Sequence, residues 1–219
     1  MPKPASFELL TKTCEIYGAT LVAVSKTRSI EEMMTLYAAG QRIFAENRPQ
    51  EIVAKAPLMP ADVQWHLIGH LQTNKVRSIL PLVNCIHSLD SERLWEKINE
   101  EAQKLNHSVD ALLQIKIAQE ETKFGWDFHE LTNLLLSNRH SSWKNVNIRG
   151  VMGMATLTED EQVVRKEMRQ LKFYFDLLKK DYFRTETFST ISMGMSGDYQ
   201  IALEEGSNMI RIGTMLFEK

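Results

Sequence analysis

Eight times along this chain an apolar stretch of strand length alternates with a stretch of helical spacing. "TLVAVS" precedes "SIEEMMTLYAAG", "RIFAEN" precedes "PQEIVAKAP", and "VQWHLIGH" precedes a short helix from Thr73. "VNCIHSL" leads to a helix from Ser91, "VDALLQIKIA" to "DFHELTNLLLSN", "VNIRGVMGM" to a helix from Thr158, and "TFSTISMGM" to "GDYQIALEEG". "NMIRIGTMLF" is the eighth strand. Successive parallel strands need a crossover, and a helix is the usual one. Eight such units predict an α/β protein with a closed (β/α)8 TIM barrel, one domain spanning residues 1–219. An open doubly wound sheet is the rival, but no GxGxxG follows the first strand.

Local signals set the helix limits. Ser29 and Glu32 make a capping box, Gly40 a stop, and Pro49 a favoured first position. Ile30, Met33, Met34 and Tyr37 are expected on one face, as are Leu94, Trp95, Ile98, Ala102 and Leu105. Asp127 is expected to cap the helix "DFHELTNLLLSN". Thr158 with Glu161 is expected to cap the helix after the sixth strand, whose core face is Val164, Met168, Leu171, Phe175 and Leu178.

A net charge of −2 over 219 residues argues against a dedicated nucleic-acid binder. No apolar run approaches a membrane span, and "MPKPASFELL" lacks a signal core, so the chain is expected to be cytoplasmic. Cys14 and Cys85 fit no CxxC site and are expected to be buried, inert thiols.

In a barrel of this kind the chemistry sits at the C-terminal strand ends. Those ends carry Lys26, Glu46, Asn47, His70, His87, Lys123, Met154, the run Ser192–Ser196, and Arg211–Thr214. The last two loops, "SMGMSGD" and "RIGT", combine glycine with hydroxyl residues, and Ser196 is expected to start a helix. Such loops suit an anion, although glycines also simply end strands. Lys26 stands among apolar residues, where desolvation would favour a neutral, nucleophilic amine. A lysine facing a phosphate loop suits pyridoxal phosphate, with its aldehyde and phosphate at opposite ends, and Arg211 could then face the pyridine nitrogen. A snorkelling lysine at a strand end is the plainer alternative. His66 and His70 share a strand face, but with no third ligand nearby a zinc site is not expected. His87 is expected to hydrogen-bond locally.

These stretches, with "AVSKTRS", "FAENRPQE", "WHLIGHLQTNK", "IHSLD" and "IRGVMGMATL", resemble the pyridoxal phosphate homeostasis proteins, the YggS/PROSC family, related to the barrel domain of alanine racemase. The resemblance runs from Lys26 to Thr214. It implies a cytoplasmic, monomeric barrel like the alanine racemase N-terminal domain (pyridoxal phosphate fold type III), without the C-terminal β-domain. It implies a role in vitamin B6 homeostasis without established turnover, and apo-enzymes that use the cofactor as possible partners. Lys26 would carry pyridoxal 5′-phosphate as a Schiff base, Arg211 would sit by the pyridine nitrogen, Ser196, Gly213 and Thr214 would hold the phosphate, and Asn47 would line the pocket. Arg28 stands where many members have a second lysine, and Lys123 matches a further lysine linked to cofactor handling.

Racemisation needs a base on each face of the α-carbon, and the alanine racemase tyrosine comes from the C-terminal domain. No tyrosine here is a convincing substitute, so no catalytic residue is expected. A racemase or decarboxylase on the same barrel, and a phosphate-handling enzyme that uses Lys26 without the cofactor, are the competing readings.

Overall fold

Parallel strands that hydrogen-bond to their sequence neighbours have no edge left once the last meets the first. Here β8 pairs with β1, and the order β1 to β8 closes into a barrel. The computed structural model describes residues 5–118 and 124–217. Its strands are β1 (Thr20–Val24), β2 (Ile43–Glu46), β3 (Gln64–Leu67), β4 (Cys85–Leu89), β5 (Val109–Gln114), β6 (Val146–Met152), β7 (Thr190–Ser192) and β8 (Met209–Ile212). Around them run α1 (Ala5–Tyr17), α2 (Ile30–Ala39), α3 (Pro49–Lys55), α4 (Val76–Ile79), α5 (Glu92–Lys104), α6 (Phe128–Leu136), α7 (Glu161–Asp181), α8 (Tyr199–Glu204) and α9 (Thr214–Phe217). The rival open sheet is thereby excluded.

Side chains alternate across each strand, so the barrel has two apolar environments. Leu21, Ala23, Phe44, Leu67, Ile86, Leu113, Val151, Ile191, Ile210 and Ile212 join the helices in one large core. Val22, Val24 and Ala45 form a second cluster, and Cys85, Leu112 and Met152 a third. The polar residues His66, His87, Ser192 and Arg211 are buried as well.

The cap signals read correctly where a side chain could reach its own backbone. Ser29 and Glu32 form the full capping box, Gly40 ends α2 in the left-handed region, and Asp127 caps α6. The core face of α7 is the expected one. Other limits move. On α2 the buried residues are Met33, Leu36 and Ala39, while Met34 is exposed. Leu105 lies past the end of α5 and is exposed. Helix α7 starts at Glu161 because Asp160, nearer to the first free N–H groups, is its cap, and Thr158 instead accepts from the Asp160 N–H. Strand β5 stops at Gln114, and Ile115 makes a lone parallel bridge with Trp126. Strand β8 stops at Ile212, and the chain turns into α9, which buries Leu216 and Phe217. The N-terminal stretch is helical from Ala5 to Tyr17 and packs Phe7, Leu10 and Cys14 into the core. Both cysteines are free and buried. No helix among the described residues is long and apolar enough to cross a membrane.

Strands β6 and β7 approach closely at Gly150, where an added methyl would overlap the Thr190 carbonyl. Backbone cannot yield as a side chain can, so Gly150→Ala should destabilise the protein by about 3 kcal/mol or more. A urea denaturation midpoint shared with the parent protein would contradict this packing.

Candidate functional site

Strand β1 delivers Lys26 to the C-terminal mouth of the barrel, and β8 delivers Arg211 and Gly213 beside it. The pairing Val22 to Arg211 and Ala23 to Ile212 sets this neighbourhood. A cavity of about 540 Å³ opens there. Lys26, Asn47, Ser196, Arg211, Gly213 and Thr214 all line it, together with Val24, Ile68, Gly69, His70, Gln114, Phe124, Met154, Met195 and Gly197. Gly69 is required where it stands, because a side chain there would overlap the Asn47 carbonyl at the end of β2.

Two expectations about this site change. Lys26 is exposed towards the cavity rather than enclosed by apolar strand residues. Ser196 does not begin a helix; it lies in a turn three residues before α8, whose preceding residue Asp198 binds the Met195 N–H at 2.6 Å. Gly213 is not sterically forced: an added Cβ would meet Val24 only at ordinary contact distance, 3.5 Å from its carbonyl oxygen. Around Gly197 the space is open. Lys123 lies outside the described residues. Arg28 turns away to Glu32 at 3.3 Å and covers the Phe217 ring.

Beneath the cavity a polar chain runs into the barrel. Arg211 Nη1 donates to Ser192 Oγ at 2.6 Å and Nη2 donates to the Gly153 carbonyl at 3.1 Å. Ser192 Oγ meets His87 Nδ1 at 3.1 Å, and His87 Nε2 meets His66 Nδ1 at 2.9 Å. Arginine can only donate, so Ser192 Oγ accepts from it, and the arrangement that also uses the Ser192 proton has that hydroxyl donate to His87 Nδ1. His87 then carries its proton on Nε2 and gives it to His66. Burial pushes Arg211 down to about 10, which still leaves it a cation at neutral pH. Burial also pushes His66 down to about 4, and His87 well below its usual value, the latter helped by His66 and Arg211. His87 therefore bonds to residues 21 and 105 positions away, not locally as its sequence surroundings suggest. Cys85 supplies the third donor that the sequence reading did not find. Its sulfur and the facing nitrogens of His66 and His87 lie within 4.8 Å of one another. The bond between the two imidazoles and the nearby Arg211 charge count against a second cation there.

His70 parts from His66. Its Nδ1 pairs with Asp90 at 2.7 Å, its ring stacks on Phe124 at 4.0 Å, and it borders the cavity. The sequence reading gave the pocket no second base, and His70 is a titratable group in that place. The partner that orients it, Asp90 at the end of β4, is not detectable from local sequence. Tyr199, which opens α8 just after the glycine–hydroxyl turn, is buried in the core.

The model of the family described as "Alanine racemase, N-terminal domain" matches residues 7–218. A pyridoxal phosphate homeostasis protein of Aquifex aeolicus is 37% identical over 216 residues, covering 96% of this chain and 93% of that protein. One from Synechocystis is 37% identical over 202 residues, covering 90% of this chain and 89% of that protein. The chain belongs to the pyridoxal phosphate homeostasis protein family. Among solved structures, PipY of Synechococcus elongatus without pyridoxal phosphate (PLP) matches with a TM-score of 0.91 at 34% identity, covering 97% of this chain and 98% of that one. PipY with PLP bound matches with a TM-score of 0.86, covering 97% and 100%. Alanine racemase of Clostridium difficile, at 15% identity and a TM-score of 0.75, shares the fold, with this chain covering 56% of its length.

The buried histidines predict acid sensitivity in a defined window. Unfolded histidines protonate near pH 6.5. In the fold His66 and His87 resist protonation, so below that pH the unfolded state binds more protons. Their contribution is intact above about pH 6.5 and is lost as pH falls towards 4, with His66 alone worth on the order of 3 kcal/mol. Urea midpoints measured between about pH 7 and pH 4.5 should fall, and His66→Asn should flatten the slope. An equal slope in the two proteins would rule out this origin.

Proposed function

We propose that this protein binds pyridoxal 5′-phosphate covalently through Lys26 and serves intracellular homeostasis of that cofactor rather than amino-acid turnover. The observation that carries the reading is the convergence of Lys26, Asn47, Ser196, Arg211, Gly213 and Thr214 on one cavity. The residues fit the group. An exposed lysine amine can meet the aldehyde, and glycine positions without side chains leave room for an anion beside the hydroxyls of Ser196 and Thr214. Arg211 would face the ring nitrogen, and Asn47 would wall the pocket. When bound, the cofactor supplies an electron sink for chemistry at carbon next to nitrogen. Arg211 limits that sink, because a buried cation that only donates withholds the proton a pyridinium needs. The names of the curated relatives support a regulatory role, and the PLP-bound form of PipY supports the ligand. The cytoplasm as site of action, a monomeric state and apo-enzymes as recipients belong to the same reading.

Borohydride treatment of the cofactor-loaded protein, followed by peptide mapping, should put the adduct on Lys26; an adduct on Lys75 instead would sink the assignment. Ser196→Ala should weaken binding by about 1.5–3 kcal/mol, the worth of one hydrogen bond to a charged group. Gly213→Val adds atoms to the cavity lining and should cost pyridoxal 5′-phosphate more than unphosphorylated pyridoxal. An unchanged ratio of the two affinities would move the phosphate elsewhere.

The regulatory reading also predicts slow chemistry. A positioned base supplies about 10²–10⁴-fold in rate. With L-alanine in deuterated water, α-deuterium incorporation should be no faster than with the free cofactor. Faster exchange, lost in both Lys26→Ala and His70→Gln, would identify an enzyme that uses the histidine on the cavity wall.

A further inference from the structure

Lys26 is the one residue of its turn whose side chain opens into the cavity, and both its neighbours are tied to the same charge cluster. On one side Ser25 Oγ donates to Glu46 Oε1 at 2.7 Å, and the Ser25 carbonyl accepts from Lys55 Nζ at 2.8 Å. On the other side the Thr27 N–H donates to Glu51 Oε2 at 3.0 Å. Lys55 joins the two, with Nζ 2.8 Å from Glu46 Oε1 and 3.0 Å from Glu51 Oε2. Thr27 has φ at 62°, a conformation that a β-branched residue adopts only under constraint. The Arg28 N–H closes the turn onto the Ser25 carbonyl at 3.0 Å.

The cluster is costly to build, which argues that it is more than surface ornament. Glu46 is fully buried, its carboxyl is raised by that burial against the pull of Lys55 and Ser25, and its Oε2 has no hydrogen-bond partner among the described residues. Burial also opposes the charge on Glu51, but the Thr27 N–H and Lys55 outweigh it and hold the carboxyl below its usual value. Lys55 spends its three ammonium protons on the Ser25 carbonyl, Glu46 and Glu51. An ammonium held in this way is a poor nucleophile, whereas the exposed Lys26 amine is in reach of a ligand.

We infer that Glu46, Lys55 and Glu51 are positioning residues that hold the Ser25–Thr27 turn so that Lys26, and not Lys55, is the amine that reacts with an aldehyde in the cavity. The amine and the aldehyde then join in a carbon–nitrogen double bond with release of one water. The inference rests on the reading of the cavity as an aldehyde and phosphate site.

The test uses pyridoxal 5′-phosphate as the probe and reads two quantities: its dissociation constant, and the fraction of borohydride-fixed adduct found on Lys26. Glu51 is partly exposed, so Glu51→Ala releases Thr27 without stranding a buried charge. It should weaken binding about tenfold or more and spread the adduct to other lysines, with the melting temperature nearly unchanged. Glu51→Gln keeps an acceptor oxygen for the Thr27 N–H and should recover most of the parent behaviour. Lys55→Met alone would strand Glu46 and risks failing to fold, so the paired variant Glu46→Gln with Lys55→Met is compared with it. Loss of Lys26 selectivity in that pair supports the inference. Parent affinity and parent labelling in both Glu51→Ala and the paired variant overturn it while leaving the cavity reading intact. Weakened binding that tracks a fall in melting temperature and is not recovered by Glu51→Gln also overturns it. A parent protein that carries no adduct on Lys26 overturns it together with the cavity reading.

Discussion

Everything about this site depends on β8 hydrogen-bonding to β1. The register Thr20 to Met209 through Ala23 to Ile212 joins residues nearly a whole chain apart. It puts the turn after β1, with Lys26, next to the turn after β8, with Gly213 and Thr214, and it places Arg211 level with Val22 just beneath them. Without closure the sheet would expose two unpaired edges, and the amine and the proposed anion loop would lie on opposite ones. Barrel formation and assembly of the cavity are therefore the same event.

The barrel interior accepts polar groups on terms that make them interdependent. Arg211 is a buried cation whose near partners are neutral oxygens: the Ser192 hydroxyl and the Gly153 carbonyl. The hydroxyl is in turn oriented by His87, and His87 by His66. Buried polar networks of this kind stabilise only when every member is satisfied. Reversing one tautomer would leave two donors or two acceptors facing each other. Asp198 is the acidic group whose field acts on Arg211.

Periodicity carried the fold reading where one face of an element meets the core over several turns. Helix α7 with its five expected core residues and α5 with Trp95 and Ile98 are of that kind. It failed where apolar residues are buried without belonging to a strand. Ile115 and Ile117 lie past the end of β5 yet are buried in the main core, and Leu216 and Phe217 are buried by a terminal helix turn that a run of apolar residues cannot distinguish from a strand. The six residues that the family resemblance named all line the cavity, as a barrel that collects its strand ends in one place allows, whereas Glu46 and His87, read as strand-end residues too, do not line it. Contacts between distant strands left no local trace. Nothing near His66 announces Cys85 or His87, nothing near His70 announces Asp90, and the reach of Lys55 past its i,i+4 partner Glu51 to Glu46 follows only from the packing of α3 against the end of β2.

The missing side chain at Gly69 bears on how a ligand is received. With the Asn47 carbonyl seated against its α-carbon, the strand ends at the mouth between β2 and β3 are already in contact and have no slack to close further. The ordering entropy of that wall is therefore settled when the chain folds, not when a ligand arrives. Recognition at such a wall approaches lock and key, and differences in affinity among ligands fall mainly on how long each stays rather than on how fast each enters.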